Sequence, residues 1–300
     1  MSEAAFEPAG FMESQIFGLP VDRETLFSNH KNVYKKRIEK RQRKLIVKIS
    51  FLKPFLKKGE QIILITTGYS PLASAAQYLT GYLFVYLKRS LFVFTNYRLI
   101  HVPTTSSYGY KNSIAHVAYA GCQSIALKRG NLIAQFTGAG QKNEKFKGIA
   151  VFERKKIRAL LKNKLPLSGT KVQLARRIHL CPRCTGALVE RKYNCEKCGL
   201  KFKGKVVAAI SSLIFPGGGY FYIRQYLLGF FDALVELVLL VFVVYTVYDI
   251  RHDIPVRPFQ WAVIPLFVYI KTAALVHSNH FINEFIPKSR NIKPRKIAGR

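Results

Sequence analysis

Two kinds of apolar pattern divide the chain. Up to about residue 152 the apolar residues come in short runs. "QIILITTGYS" (61–70), "KRSLFVFTNYRLIHVP" (88–103), "SIAHVAYAGC" (113–122), "QSIALKRGNLIAQF" (123–136) and "KFKGIAVF" (145–152) are rich in Ile, Val, Phe, Tyr and Thr. Gly, Pro and Asn separate them, so they predict β-strands. "LKRGNLIA" predicts a hairpin with Gly130-Asn131 at its tip. Helical spacing flanks this region. Over residues 22–50, Leu26, Phe27, Val33, Tyr34, Ile38 and Leu45 recur at helical intervals between basic residues, which predicts one basic amphipathic helix. "ERKKIRALLKNK" (153–164) predicts a second.

From residue 206 the apolar runs are long. "YLLGFFDALVELVLLVFVVYTVY" (226–248) carries only Asp232 and Glu236 as charges, and is long enough to span about 30 Å of hydrocarbon. Residues 206–223 are as apolar, but Pro216 and three glycines interrupt them, which predicts a broken or re-entrant helix. Residues 259–276 include Pro265 and Lys271. Asp232 and Glu236, four apart, share a helix face. They are candidate intramembrane carboxylates, either on an ion or proton path or packed against Arg224, Lys271 or the backbone of the broken segment. His277 and His280 lie one turn apart and are expected to be a solvated interfacial pair rather than metal ligands.

Charge adds a partner. The 300 residues hold 48 Lys+Arg against 16 Asp+Glu, a formal net charge of +32. Such an excess calls for an anionic partner, nucleic acid or a membrane surface. Residues 1–30 have Arg23 as their sole basic residue, and the excess lies before the long apolar runs. Lys35, Lys36, Arg37, Lys40, Arg41, Arg43 and Lys44 are candidates for an anionic lipid surface, as are Lys201, Lys203 and Lys205. The basic tail 288–300 and the basic region before 205 predict cytoplasmic N- and C-termini. That requires an even number of crossings: either 206–223 dips and returns, the favoured arrangement, or 259–276 lies in the interface. The N-terminus lacks a signal-peptide pattern.

The cysteines add a metal. Cys181, Cys184, Cys195 and Cys198 form C-x2-C-x10-C-x2-C, in which two tight turns bring four thiolates to tetrahedral corners. Zinc is the expected ion. Four cysteines fill its coordination sphere and leave no position for water, so its role is structural. Gly186 and Gly199 follow the turns and are expected to supply their tight backbone; His179 is a less favoured substitute ligand. Cys122, alone among apolar residues, reads as core.

Three resemblances follow from these residues. "KGEQIILITTGY", then "LFVFTNYRLIHVP" with Thr95, Asn96, Tyr97, Arg98, Leu99 and Ile100, then a helix, resembles the bacterial PH-like (GRAM-type) domains over roughly residues 52–165. The apolar stretch 70–87 departs from that pattern and reads as a strand pair with a greasy loop, or an extra helix. The cysteines resemble small bacterial zinc ribbons. "PGGGYFYIRQYLLG" resembles a P-G-x-G-x-x-Y…G membrane hairpin through Pro216, Gly217, Gly219, Tyr222 and Gly229, with Arg224 where glycine often stands.

The expected fold class is an α+β membrane protein: a PH-like antiparallel β-barrel with a C-terminal helix, a four-Cys zinc ribbon and a C-terminal helical membrane region. Its parts are 1–50 (tail and basic helix), 51–165 (PH-like), 166–205 (linker and ribbon), 206–286 (membrane) and 287–300 (tail). No nucleophile elbow, Walker loop, H-E-x-x-H or Rossmann glycine pattern occurs. The expectation is therefore a non-enzymatic scaffold or adaptor at the cytoplasmic face of the inner membrane, binding a protein partner, anionic lipid, or both. The alternatives are a membrane-tethered nucleic-acid binder and a subunit of a transport assembly.

Overall fold

The short apolar runs become strands, and the long ones become helices. The computed structural model describes residues 15–71, 88–136, 143–163, 165, 177–289 and 292. Strands β1 (Gln15–Ile16) and β2 (Leu19–Pro20) pair with each other. Next come β3 (Ile62–Tyr69), β4 (Arg89–Thr95), β5 (Arg98–Pro103), β6 (Ile114–Ala118), β7 (Cys122–Lys128), β8 (Asn131–Phe136), β9 (Glu144–Phe146) and β10 (Ile178–Leu180). One sheet has the order β10-β6-β5-β4-β3 and another β7-β8-β9.

The α+β class holds, but the expected barrel is not closed. A 3-10 turn at Tyr119–Gly121 carries the chain out of β6 into a different sheet. The edge of β6 away from β5 is taken by β10, antiparallel, with His179 opposite Ala115. Of the stretch 70–87, residues 72–87 lie outside the described residues. The chain forms two compact units, one of Met1–Gly68, Leu91–His101 and Val117–Arg176, the other of Tyr69–Ser90, Val102–His116 and Arg177–Arg300.

In the first unit, side chains of β3–β5 and β7–β9 bury Phe92, Phe94, Tyr119 and Phe146. Ile157 and Leu160 close this core from helix Arg154–Asn163. Cys122 lies within it, and burial pushes its thiol up to about 12, so it stays a protonated core residue. The hairpin tip falls one residue earlier than expected. Arg129 (φ 47°) and Gly130 (φ 79°) form the two-residue turn, and Asn131 pairs with Lys128.

The predicted single helix over 22–50 is two: α1 (Arg23–Phe27) and α2 (Lys36–Lys48). Asp22 caps α1 by accepting the Thr25 N–H at 3.0 Å. Asn29 then breaks the helix, its Oδ1 accepting the N–H groups of Lys31 (2.8 Å) and Val33 (3.1 Å). Lys156 of α3 (Arg154–Asn163) caps α1 from the other end, donating to the carbonyls of Thr25, Leu26 and Ser28.

The Thr-Asn-Tyr-Arg motif is half of a latch. Glu60 accepts hydrogen bonds from Thr95 Oγ1, Arg98 Nε, Arg98 Nη2 and the Lys57 N–H, each at 2.8 Å. Asn96 accepts the Gln61 N–H and donates to the Gly59 carbonyl, both at 2.9 Å. So "KGEQ" and "TNYR" hold each other, and the motif's side chains are spent on the fold. Burial pushes the Glu60 carboxyl up, but Arg98, the Lys57 N–H and Thr95 outweigh it and hold it below its ordinary value. A depressed folded-state value means stabilisation that is present above the ordinary carboxylate range and lost as pH falls through the folded value. Glu60→Gln is therefore expected to destabilise by about 2 kcal/mol at neutral pH. Thermal melts of both proteins should converge only once pH falls below that depressed folded-state value; a gap independent of pH would rule this reading out.

The second unit holds β10, the cysteines and four helices: α4 (Lys205–Ile214), α5 (Gly218–Tyr222), α6 (Tyr226–Arg251) and α7 (Pro258–Ile282). At 1.5 Å per residue, α6 and α7 are about 39 and 37 Å long and α4 about 15 Å. By length and composition, α6 and α7 could cross a membrane. Their apolar side chains point outward, Leu227, Phe230, Val244 and Trp261 among them, whereas the core helix of a soluble protein buries its own. Gln260 ties their connection, accepting the Arg257 N–H at 2.6 Å and donating to Asp249 Oδ2 at 2.7 Å.

Candidate metal centre and helical hairpin

The two C-x-x-C turns are near copies. In the first, Cys181 N–H bonds to Gly186 O at 2.8 Å and Thr185 N–H to Cys181 O at 2.9 Å. In the second, Cys195 N–H bonds to Leu200 O at 2.9 Å and Gly199 N–H to Cys195 O at 2.8 Å. The left-handed position is Gly199 (φ 68°) in the second turn but Thr185 (φ 58°) in the first, one residue before the expected Gly186. At Gly186 a Cβ would meet the exposed Lys197 side chain at 2.8 Å, a flexible neighbour that can move aside.

The four sulfurs suit a tetrahedral ion. All lie within 4.8 Å of one another, with Cys181–Cys198 at 3.5 Å and Cys184–Cys195 at 3.6 Å. Metal–sulfur bonds of 2.3 Å imply edges of about 3.8 Å. Burial raises the Cys181 thiol, but the backbone N–H groups of Cys184 and Arg183 point at its sulfur and favour the thiolate. Cys198 and Lys197 do the same for Cys195. The cluster could hold a metal ion. His179 is not part of it; its ring packs on Phe285, centroids 4.9 Å apart.

Phe285 is the residue that sequence reasoning missed. It enters the core of the four-cysteine module with Leu188, Leu200 and Phe202. Phe202 and Phe285 meet edge to face at 5.7 Å. Beyond it the chain adds a strand-like edge: Lys203 N–H bonds to Ile286 O at 2.9 Å, and Lys288 N–H to Lys201 O at 3.0 Å. The segment leaving α7 thus completes the four-cysteine module. No periodicity marks Phe285; only its place just after a long apolar run hints at it.

The interrupted segment is a hairpin. Helix α4 leaves the ribbon, the chain turns at Pro216-Gly217, and α5 brings Tyr222 back beside Gly204, whose N–H reaches the Tyr222 hydroxyl at 3.2 Å. Gly217 has φ 64°, and a Cβ there would sit 2.2 Å from the Gly229 carbonyl, so turn and α6 touch backbone to backbone. The turn leaves orphan polar groups, and two charges answer them. Glu236 accepts the Gly217 N–H at 3.0 Å. Lys271 donates to the Ser212 carbonyl at 2.9 Å; that carbonyl lacks its helical partner because residue 216 is proline. Glu236 and Lys271 pair at 2.8 Å.

Of the partners expected for the two carboxylates, Glu236 therefore takes Lys271 and the broken backbone. Arg224 instead donates to the Lys288 carbonyl. Asp232 is half-buried on the same side, its Oδ2 without a hydrogen-bond partner among the described residues. The two histidines do not form a solvated pair. His277 is buried, with Nδ1 2.9 Å from the Tyr220 hydroxyl, and His280 Nε2 lies 3.1 Å from Pro71 O.

The basic candidates split. Lys35, Lys36, Arg37, Lys40, Arg43 and Lys44 are exposed on or beside α2, as are Lys201 and Lys205 near the ribbon. Arg41 is half-buried; it pairs with Glu153 at 2.8 Å and lies over the Phe152 ring at 3.9 Å. Lys203 is a correction. It is buried, its ammonium donates to the Tyr222 carbonyl and lies 4.9 Å from the Tyr222 ring, so it locks ribbon to hairpin and is no surface cation. The ring stands there because α5 turns back, which spacing alone does not announce. No family model, curated protein or solved structure matches this chain.

Proposed function

We propose that the protein is a non-enzymatic adaptor anchored in the inner membrane by α6 and α7. Both termini, the strand-rich unit and a structural zinc ribbon lie on the cytoplasmic face, where they meet anionic lipid and a protein partner. The observation that carries this reading is the joint between the four-cysteine module and the residues leaving α7. It supports a metal-stiffened collar at the end of the helix pair where Lys201, Lys205 and Lys288 stand. That end is the richer in uncompensated basic residues, since Asp249 and Asp253 accompany Arg251 and Arg257 at the other. The exposed basic side of α2 supports attraction to anionic lipid, at about 1 kcal/mol per residue near the surface. Four sulfur ligands favour zinc and leave no open position for chemistry.

Topology reporters test the reading. Alkaline phosphatase fused after Asp253 should be active, and after Lys288 inactive, with a fluorescent-protein reporter giving the opposite pattern. Equal behaviour at the two positions would sink the two-crossing arrangement; the reversed pattern would sink the cytoplasmic assignment.

A further inference from the structure

A cleft of about 390 Å³ opens within the second unit, between the loop before β6, the turn that starts α6 and the segment that ends α7. Two cations, Lys111 and Arg224, and one carboxylate, Glu284, line it. Glu284 is already engaged with the buried Lys88 at 3.4 Å, so one acid serves two lysines. Burial pushes Lys88 down to about 8, with Arg177 and Lys111 adding to the shift against the pull of Glu284. Burial lowers Lys111 as well. Lys88 thus feels Arg177 and Lys111 as well as Glu284, so several cations gather around one carboxylate.

The opposite wall is apolar: Ile223, Leu227, Phe281 and Ile286. Leu227 is exposed in the first turn of α6, so the wall reaches the outer face of that helix, while Phe281 in the last turn of α7 is buried. Arg224 is held at φ 66°, a conformation that glycine adopts freely and arginine at a cost. Its guanidinium donates to the Lys288 carbonyl through one nitrogen, which leaves further N–H groups for a ligand.

We propose that this cleft binds the phosphate of an anionic phospholipid headgroup, with Arg224 and Lys111 as its cations and the exposed Leu227 against the upper acyl chain. A phosphate accepts charge-assisted hydrogen bonds from both cations, and the acyl chain covers Leu227, which a soluble phosphate would leave wet. The proposal rests on the reading that α6 and α7 cross a membrane.

The test uses the full-length protein in nanodiscs of phosphatidylcholine and phosphatidylglycerol, with native mass spectrometry of the lipid that stays bound. The native protein should retain phosphatidylglycerol over phosphatidylcholine. Arg224→Gly should retain it about fivefold less, the factor for one basic residue at an anionic surface. Its melting temperature should change little, because glycine relieves the left-handed backbone while the hydrogen bond to the Lys288 carbonyl is lost. The exposed Leu227→Asp should also lose the lipid and keep the fold. Undiminished retention by Arg224→Gly overturns the proposal. So does binding of inorganic phosphate or glycerol phosphate by the detergent-solubilised protein as tightly as the lipid, which would make the cleft a soluble-phosphate site. Alkaline carbonate extraction of native membranes separates the two readings. Release of the protein sinks the spanning helices, whereas retention without phosphatidylglycerol enrichment sinks the cleft alone.

Discussion

Replacing Cys195 with serine is expected to empty the metal site and melt the ribbon. Structural zinc contributes an apparent 10–16 kcal/mol, roughly, to the domain it organises, far more than the small apolar core of Leu188, Leu200, Phe202 and Phe285 can replace. Metal analysis of the purified protein should find about one zinc per chain, and almost none in Cys195→Ser or Cys181→Ser. Cys122→Ser should keep its zinc, since that thiol lies in a different core. Hydrogen exchange at Leu188 and Leu200 should accelerate in the two ligand variants and in chelator-treated native protein. Protection should fall at Lys203 and Lys288 too, because their N–H groups close the edge between ribbon and the chain leaving α7. Full exchange protection in a metal-free protein would remove the structural role.

Lys271→Met is expected to be the most damaging single change in the helical region, at about 3–5 kcal/mol, the cost of leaving a buried partner charge uncompensated. It strips the ammonium from Glu236 and from the Ser212 carbonyl together. Glu236→Gln should cost less, because the amide oxygen still accepts the Gly217 N–H. The double variant should cost less than the sum of the singles, since the second change removes the charge that the first left stranded. Denaturation of the four proteins in one detergent would measure this coupling. Additive costs would mean that the pair does not act as a unit. Asp232→Asn serves as comparison: it lies on the same side of α6, near enough to feel Glu236 and Lys271, but its Oδ2 makes no hydrogen bond among the described residues.

The two predictions differ in how far the sequence foretold them. The cysteine site was legible because its information is local: two C-x-x-C turns ten residues apart bring four sulfurs together under their own backbone hydrogen bonds. The two long helices were legible for a similar reason, since length and composition set the test for them. Strand positions followed from short β-branched runs. Their closure into a barrel did not, because it depends on which distant edge β6 meets, and it meets β10. The predicted helix over 22–50 failed at Asn29, whose side chain competes with the helical backbone over two residues while the apolar spacing runs on.

Taken alone, then, the sequence determined the local facts: a four-sulfur cluster, two helices long enough to cross a membrane, a broken third segment and a basic region before residue 206. The tertiary structure decided what the charges do. Lys203 and Lys205 look alike in the sequence, yet one is buried against Tyr222 and the other is exposed. Glu236 and Lys271 are 35 positions apart, and only the turn at Pro216-Gly217 gives them orphan groups to satisfy. The physical reason is that a charge is sorted by the cost of losing water against the partners that replace it. Those partners come from distant parts of the chain, so their identity is settled only when the chain has folded.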